Sequence, residues 1–190
     1  MGIFGLSRDK VMQLLDEHVI TDHLRKHSLA TEAVMRGLAA RLNEDAETWG
    51  LVGLVHDLDF DETKDDMSKH TIVAAEILRS HNVPEEYVSA IISHCEHTPG
   101  WQPRTKPLEH ALAASEAITG LVVATSLVMP DKKVASVKPK SVRKRMGETA
   151  FARNVDRNAI LECEKLGVPI EEFCEIAVRA MQGIAEQLGL

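Results

Sequence analysis

Aromatic side chains are scarce in this sequence: they make up 4% of its 190 residues, whereas apolar residues of all kinds make up 44%. The hydrophobic core must therefore be built mainly from leucine, isoleucine, valine, alanine and methionine. We find no stretch with the alternating apolar and polar pattern of a β-strand, and no internal repeat. Such an aliphatic composition favours packed helices, and we predict an all-α fold.

Cysteine is also rare, and long apolar runs are missing. The cysteines Cys95, Cys163 and Cys174 form no CxxC pair, so we expect reduced thiols that pack in the core of a cytoplasmic protein. No run approaches the roughly 18–20 apolar residues of a membrane span. The first residues lack the apolar segment of a secretory signal, and they fit a myristoylation pattern at Gly2 only loosely. We therefore expect no membrane partner.

The net charge of −7 makes it unlikely that the whole chain binds nucleic acid. Positive charge is concentrated in residues 131–157, which hold nine basic and three acidic side chains. This basic segment has three interpretations: it binds substrate phosphate, it binds nucleic acid, or it is a solvated face that pairs with the acidic remainder. The absence of interleaved aromatic residues weakens the second interpretation, because bases would find no stacking partner.

Hydrophobic periodicity and capping residues predict a series of helices. We place them at 7–20 with Ser7 as N-cap, 22–43, 45–56, 70–81 with Ser68 as N-cap, 84–94, 107–129, near 141–153, and 170–184. The acidic stretch 59–69 has no apolar period, and we expect a loop there. Loops on a rigid helical scaffold are a common location for parts of a functional site.

The most informative stretch is GLVGLVHDLDF, in which an apolar helix ends at the adjacent pair His56 and Asp57, followed by Asp59. A buried carboxylate without a partner costs several kcal/mol or becomes protonated. The alternative to a metal ion is a salt bridge, but no lysine or arginine lies within six positions of Asp57. A metal ion is the simplest partner.

Further ionisable residues lie on the apolar faces of other predicted helices: His27, His70, His94 and Glu116. Imidazole and carboxylate groups suit Zn, Mn, Fe, Co or Ni ions, with Mg a further candidate. Each residue has a structural alternative: His70 is a surface residue at a helix start, and Glu116 forms a salt bridge in the core. We place the remaining helix-end histidines on the surface: His18, His23, His81 and His110.

The sequence leaves more than one role open for His97 and for the acidic residues that follow the His-Asp pair. His97 is a metal ligand, a phosphate contact or a helix C-terminal cap. Asp59, Asp61 and Glu62 include a proton shuttle to the leaving group, or they form a solvated acidic loop.

In its order along the chain, this set resembles the HD superfamily of metal-dependent phosphohydrolases. The runs GLVHDLDF, HTIVAAEIL and AIISHCEHTPG look like compact bacterial HD proteins of the HDIG type, over roughly residues 27–120. The resemblance implies that His27, His56, Asp57 and Glu116 hold one divalent metal ion. It also implies that His70 and His94 hold a second one, which Asp57 bridges to the first.

The sequence departs from the family pattern at two places. Glu116 stands where the family usually has aspartate, which lengthens the ligand arm by one methylene group. Leu58 and Asp59 replace the Ile-Gly of the HDIG motif.

The resemblance implies a helical bundle, predicted as an HD core over residues 1–130 with a basic segment and C-terminal helix over residues 131–190 packed on it. We predict hydrolysis of a phosphoester bond in a small nucleotide or other phosphorylated metabolite, with Asp57 and His56 catalytic. The predicted substrate-binding residues are His97, Lys138, Lys140 and Arg143. One rival is a non-catalytic HD domain whose metal is structural or which binds a nucleotide as a signal. A second rival is an RNA-associated protein that uses the basic segment.

Overall fold

A computed structural model describes residues 4–190, which fold into helices and contain no β-strand. The helices are α1 (Arg8–His18), α2 (Asp22–Leu42), α3 (Ala46–Val55), α4 (Phe60–Thr63), α5 (Ile72–Ser80), α6 (Glu85–His94), α7 (Pro107–Leu127), α8 (Pro139–Met146), α9 (Arg157–Lys165), α10 (Ile170–Gly183) and α11 (Ala185–Leu188). The prediction of an all-α fold is confirmed. Gly2, at which the myristoylation pattern falls, lies outside the described residues.

Local signals start several helices where the sequence predicts them. The Ser7 hydroxyl accepts the backbone N–H of Lys10 at the start of α1. The Asp45 carboxylate accepts the backbone N–H groups of Glu47 and Thr48 at the start of α3. These side chains satisfy amide groups that have no partner inside a helix.

Helix α2 is central to the packing, since it contacts α3, α7, α10 and α11. Helix α7 packs in turn against α6, α8 and α9. All three cysteines are buried and free, as predicted, and burial raises the pKa of the Cys163 thiol to about 12. The division of the chain at residue 130 stays a prediction.

A close backbone contact fixes α3 against α2. A Cβ atom added at Gly53 would lie 3.0 Å from the Thr31 carbonyl oxygen and 2.9 Å from Cγ of Met35. Glycine is therefore required for the observed separation of the two helices. This contact lies one turn from His27 on α2 and one turn from His56 beyond α3, so it sets how closely the two histidines approach.

Helix α7 is the one helix within residues 4–190 that is long and apolar enough to cross a membrane by length and composition. The prediction that no apolar stretch approaches the length of a membrane span is therefore wrong. However, 72% of its most apolar window is buried inside the structure. Such burial is typical of the core helix of a bundle.

The predicted cap Ser68 is wrong, because α5 begins later, after Thr71 at φ 70°. The Ser68 hydroxyl instead donates to the Asp66 carboxylate at 2.6 Å. The Asp59 carboxylate, distant in sequence, accepts the backbone N–H of Ala74 at 3.0 Å. Asp59 therefore caps the first turn of α5 from outside.

The predicted loop at 59–69 contains the single turn of α4, and the helix predicted near 141–153 is α8, which ends at Met146. Helix α9 was not predicted. It covers one face of α7, and for that reason His110 is buried and pairs with Glu162. The prediction of a surface position for His110 is wrong.

The contact between α2 and α3 yields a test. We expect Gly53→Ala to lower the free energy of unfolding by about 1–3 kcal/mol, because an added methyl group overpacks the interface. Gly183→Ala is the matched control, since an added Cβ there meets nothing within 4 Å. Urea denaturation of both variants measures the difference, and equal stabilities would contradict a tight interface.

Candidate metal centre

His56 follows the last residue of α3 and is fully buried. Its Nδ1 lies 2.8 Å from the carbonyl oxygen of Gly53, one turn earlier. A carbonyl only accepts hydrogen bonds, so Nδ1 carries the proton and Nε2 keeps a free lone pair. That Nε2 lies 3.5 Å from the Asp57 carboxylate.

His27 reaches the same point from α2, with a quarter of its side chain exposed. Its Nδ1 lies 3.0 Å from the hydroxyl of Thr119 on α7. The Thr119 hydroxyl donates its own hydrogen to the Glu116 carbonyl oxygen at 2.7 Å, so it accepts from His27. The Nε2 atom of His27 is left facing Asp57 at 3.8 Å.

Two further imidazoles complete the arrangement. His70 donates from Nδ1 to the Asp59 carboxylate at 2.8 Å, and His94 donates from Nδ1 to the Ile91 carbonyl oxygen at 2.6 Å. Their Nε2 atoms lie 3.4 Å and 3.3 Å from Oδ1 of Asp57. All four imidazoles are therefore held at Nδ1 and point Nε2 at one carboxylate.

The ligand-type atoms of these residues form two compact groups that share Asp57. One group is His27, His56 and Asp57, and the other is Asp57, His70 and His94, with all atoms of a group within 4.8 Å of one another. Each group can hold a metal ion. Histidine ligands whose other ring nitrogen is bonded to protein are the usual arrangement at metal sites.

The protonation states agree with this arrangement. Burial lowers the pKa of His56 to about 3 and also lowers the pKa of His27. Burial alone would raise the pKa of Asp57, but the surrounding imidazoles, His56 and His94 foremost, hold it well below its ordinary value. Near neutral pH His27 and His56 are therefore neutral beside a charged Asp57 carboxylate, which is the state that binds metal ions. At His94 burial is outweighed by the hydrogen bond and charge of Asp57, which raise its pKa.

The distance between the His27 and His56 rings shows whether both can bind one metal ion. Their Nε2 atoms lie 3.1 Å apart, yet both rings carry their proton on Nδ1, so two lone pairs face each other. A cation between them removes this repulsion. Two bonds of roughly 2 Å to one ion place ligand nitrogens about 3 Å apart, so the donor set fits.

Glu116 lies on the wall of an adjoining cavity of about 250 Å³, together with Asp57, His70 and His94. Burial raises the pKa of its carboxyl group to about 7. Neither compact group includes Glu116. The structure brings this residue to the site, but as part of the cavity wall.

The predicted substrate-binding residues do not all lie at the cavity. His97 lines the cavity, whereas Lys138, Lys140 and Arg143 are not among the described residues that line it. Arg143 donates to Glu171 of α10 at 2.7 Å, and α8 packs against α10 and α7. The structure gives these three basic residues no place at the cavity, and it shows Arg143 paired with the acidic part of the chain.

Comparison with known protein families identifies the family of this chain. The model of the HD domain family matches residues 24–119, which is half of the chain. The chain belongs to the HD domain family. A curated relative, Ribonuclease Y of Lawsonia intracellularis (strain PHE/MN1-00), is 27% identical over 123 residues, covering 63% of this chain and 23% of that protein. The chain thus matches less than a quarter of that relative, and no solved structure matches it significantly.

The sequence does not predict the roles of three residues around this HD site. Asp59 was noted, but its bond to His70 depends on where residue 70 lies in space. Thr119 lies one turn after Glu116 on α7, and that spacing could have indicated it. Arg104 lines the cavity from the irregular connection between α6 and α7, where no pattern singles it out.

The acidic loop is also more structured than predicted. Asp61 accepts the backbone N–H groups of Ile20 and Thr21, both at 2.8 Å. It therefore ties the loop to the start of α2, while Glu62 is exposed. The proton-shuttle prediction gains no support from Asp61, whose carboxylate is occupied.

The Thr119 hydroxyl provides the first test of this HD site. We expect Thr119→Val to weaken metal binding by roughly 10–100-fold, because the His27 ring loses the partner that orients it. Thr125→Val is the matched control: Thr125 is buried on the same helix and bonds only the Leu121 carbonyl oxygen in the structure. Calorimetric titration with Mn²⁺ or Zn²⁺ compares the two variants, and equal affinities would remove Thr119 from the site.

The Asp59 carboxylate provides the second test of the HD site. Asp59→Asn removes the charge and replaces one of the two oxygens that accept from His70 and Ala74 with an NH2 group, so we expect roughly 10–100-fold weaker binding at the group of Asp57, His70 and His94. The group of His27, His56 and Asp57 should keep its affinity. Metal counted after dialysis at graded free concentrations separates the two steps, and loss of both together would contradict an effect specific to His70.

Proposed function

We propose that this protein is a metal-dependent phosphohydrolase that cleaves a phosphoester bond of a small phosphorylated substrate. The carrying observation is the convergence of four Nε2 atoms on the Asp57 carboxylate, each between 3.3 and 3.8 Å away. Membership of the HD family supports the same chemistry. The proposed ligands are His27, His56 and Asp57 for one ion, and His70, His94 and Asp57 for the other.

The Asp57 carboxylate, which both ligand groups share, would stabilise two cations bound close together. Two cations close together repel each other, and an anionic ligand between them reduces that repulsion. Divalent ions bound by such residues supply Lewis acidity, which activates water for attack on phosphorus and polarises a phosphoryl oxygen. In this proposal Asp57 supplies the negative charge, and the imidazoles fix the positions of the ions.

Glu116 takes a different part in the proposal from the one that the family pattern implies. It lies on the cavity wall outside both compact groups, beside Asp57 and His94. A carboxyl group in that position can face the leaving oxygen and give it a proton. We therefore assign Glu116 to the leaving-group side of the reaction.

The size and charge of the site favour a small substrate. The cavity volume of about 250 Å³ suits a phosphorylated metabolite or nucleotide. The relative is named a ribonuclease, so a nucleotide phosphoester is a reasonable class to assay. Long RNA is less favoured, because Arg143 and Arg145 of the basic segment are paired with Glu171 and Glu148.

A non-catalytic HD domain is the alternative function. The same ligands would then hold a structural metal ion, or the domain would bind a nucleotide as a signal. Structural metal sites have all coordination positions filled by protein, whereas catalytic sites keep one for water. Each group offers three protein ligands, which favours the catalytic function.

The proposal predicts the effect of removing the shared charge. We expect Asp57→Asn to lower phosphoester hydrolysis by more than about 100-fold, because even the outer partners of metal ligands are typically worth 10–100-fold. Asp66→Asn is the control, since Asp66 is exposed and its carboxylate contacts only the neighbouring residues Ser68 and Lys69. The assay uses an aryl phosphate and a nucleotide panel with Mn, Fe, Co, Ni, Mg and Zn. Full metal occupancy without turnover on any substrate would favour the non-catalytic function.

A further inference from the structure

One arginine lies inside the cavity of the HD site. Arg104 belongs to the connection between α6 and α7, and only 6% of its side chain is exposed. It lines the same cavity as Asp57, His94 and Glu116. Among the described residues that line this cavity, it is the only lysine or arginine.

Three contacts hold the Arg104 guanidinium in place. Nε donates to the Ser93 carbonyl oxygen at 3.0 Å, Nη2 to the His94 carbonyl oxygen at 2.9 Å, and Nη1 to Glu96 at 3.1 Å. A guanidinium has five N–H bonds, so these contacts leave two for another acceptor. Because the side chain is already fixed, a ligand that it binds loses little affinity to ordering of the arginine.

A purely structural role would be to satisfy the carbonyl groups at the end of α6. Such a role needs hydrogen-bond donors, but it does not need a buried charge. The Glu96 carboxylate that pairs with Arg104 is 58% exposed, and Glu162, at 4.0 Å, already pairs with His110 and Lys165. The carboxylate closest to Arg104 among the described contacts is therefore an exposed one, and the Trp101 ring lies against the guanidinium, with its centroid 5.6 Å from Cζ.

The other charged residues of the cavity wall explain why an anion would need this arginine. Glu96, Glu116 and Asp156 also line the cavity, and carboxylates repel a phosphoryl group. Arginine presents a planar pair of donors that matches two phosphate oxygens, and such charge-assisted bonds are stronger than neutral ones.

We propose that Arg104 binds the non-bridging oxygens of the phosphoryl group, in the substrate and in inorganic phosphate. The substrate part rests on the proposed function. Binding of inorganic phosphate does not require turnover, so it tests the residue independently.

The test titrates the metal-loaded protein with inorganic phosphate by calorimetry. We expect Arg104→Gln to weaken phosphate binding by about tenfold or more, because a charge-assisted bond is lost. Arg104→Lys should fall between this variant and the original protein. Arg79→Gln is the control, since Arg79 is exposed on α5 and pairs with Glu85, and its phosphate affinity should not change. Unchanged affinity in folded, metal-loaded Arg104→Gln would overturn the assignment.

Glu96→Gln extends the test to a variant that keeps Arg104. Removal of the paired carboxylate should tighten phosphate binding, and this gain should be clearly smaller in the Glu96→Gln, Arg104→Gln double variant. A gain of equal size without Arg104 would show a general charge effect and would overturn the assignment. If Arg104→Gln does not fold, Arg104→Lys with and without Glu96→Gln gives the same comparison: the gain should shrink with lysine, and an undiminished gain counts against Arg104.

Failure of this assignment differs from failure of the proposed function. If no phosphoester is hydrolysed but phosphate binding depends on Arg104, the anion site stands and the hydrolase proposal fails. If hydrolysis is observed and the Arg104 variants bind phosphate like the original protein, the hydrolase proposal stands and the assignment of Arg104 fails.

Discussion

A carboxylate removed from water must be balanced by nearby positive charge or by hydrogen-bond donors, and this requirement governs the centre of the molecule. Asp57 is 8% exposed, and no lysine or arginine is paired with it among the described contacts. Four imidazole nitrogens face it instead. A neutral imidazole offers a lone pair rather than charge, and the two groups of nitrogen and oxygen atoms around Asp57 are able to hold metal ions that would balance its charge.

The orientation of the four rings depends on four separate parts of the fold. The Nδ1 partners are a carbonyl of α3, a hydroxyl of α7, a side chain that follows the HD pair and a carbonyl of α6. No single helix can assemble the site. Asp59 makes the dependence explicit, because the same carboxylate orients His70 and caps the first turn of α5. One side chain thus connects the start of α5 to the second ligand group.

Much of this arrangement is predictable from sequence, because a buried ionisable residue on an apolar helix face is conspicuous. His27, His56, Asp57, His70 and His94 were found in this way and by their order. Their meeting in space is a tertiary result that periodicity alone cannot show.

The features that the sequence does not predict depend mostly on contacts between residues far apart in the chain. The cap of α5 comes from Asp59 and not from the nearby Ser68, and the connection that carries Arg104 has no periodicity. Helix α9 had a local signal, since Asp156 accepts the N–H groups of Asn158 and Ala159. The surrounding basic residues drew the interpretation toward charge instead of packing. Its absence from the prediction also hid the burial of His110.

The four histidines differ in exposure and border two different openings of the fold. The His27 side chain is 25% exposed, whereas those of His56, His70 and His94 are 1%, 3% and 7% exposed. His27 also borders a second, largely apolar groove of about 490 Å³ between α2 and α7. His70 and His94 instead line the cavity that also holds Arg104 and Glu116. Ions held by the two groups would therefore meet solvent through two different openings of the fold.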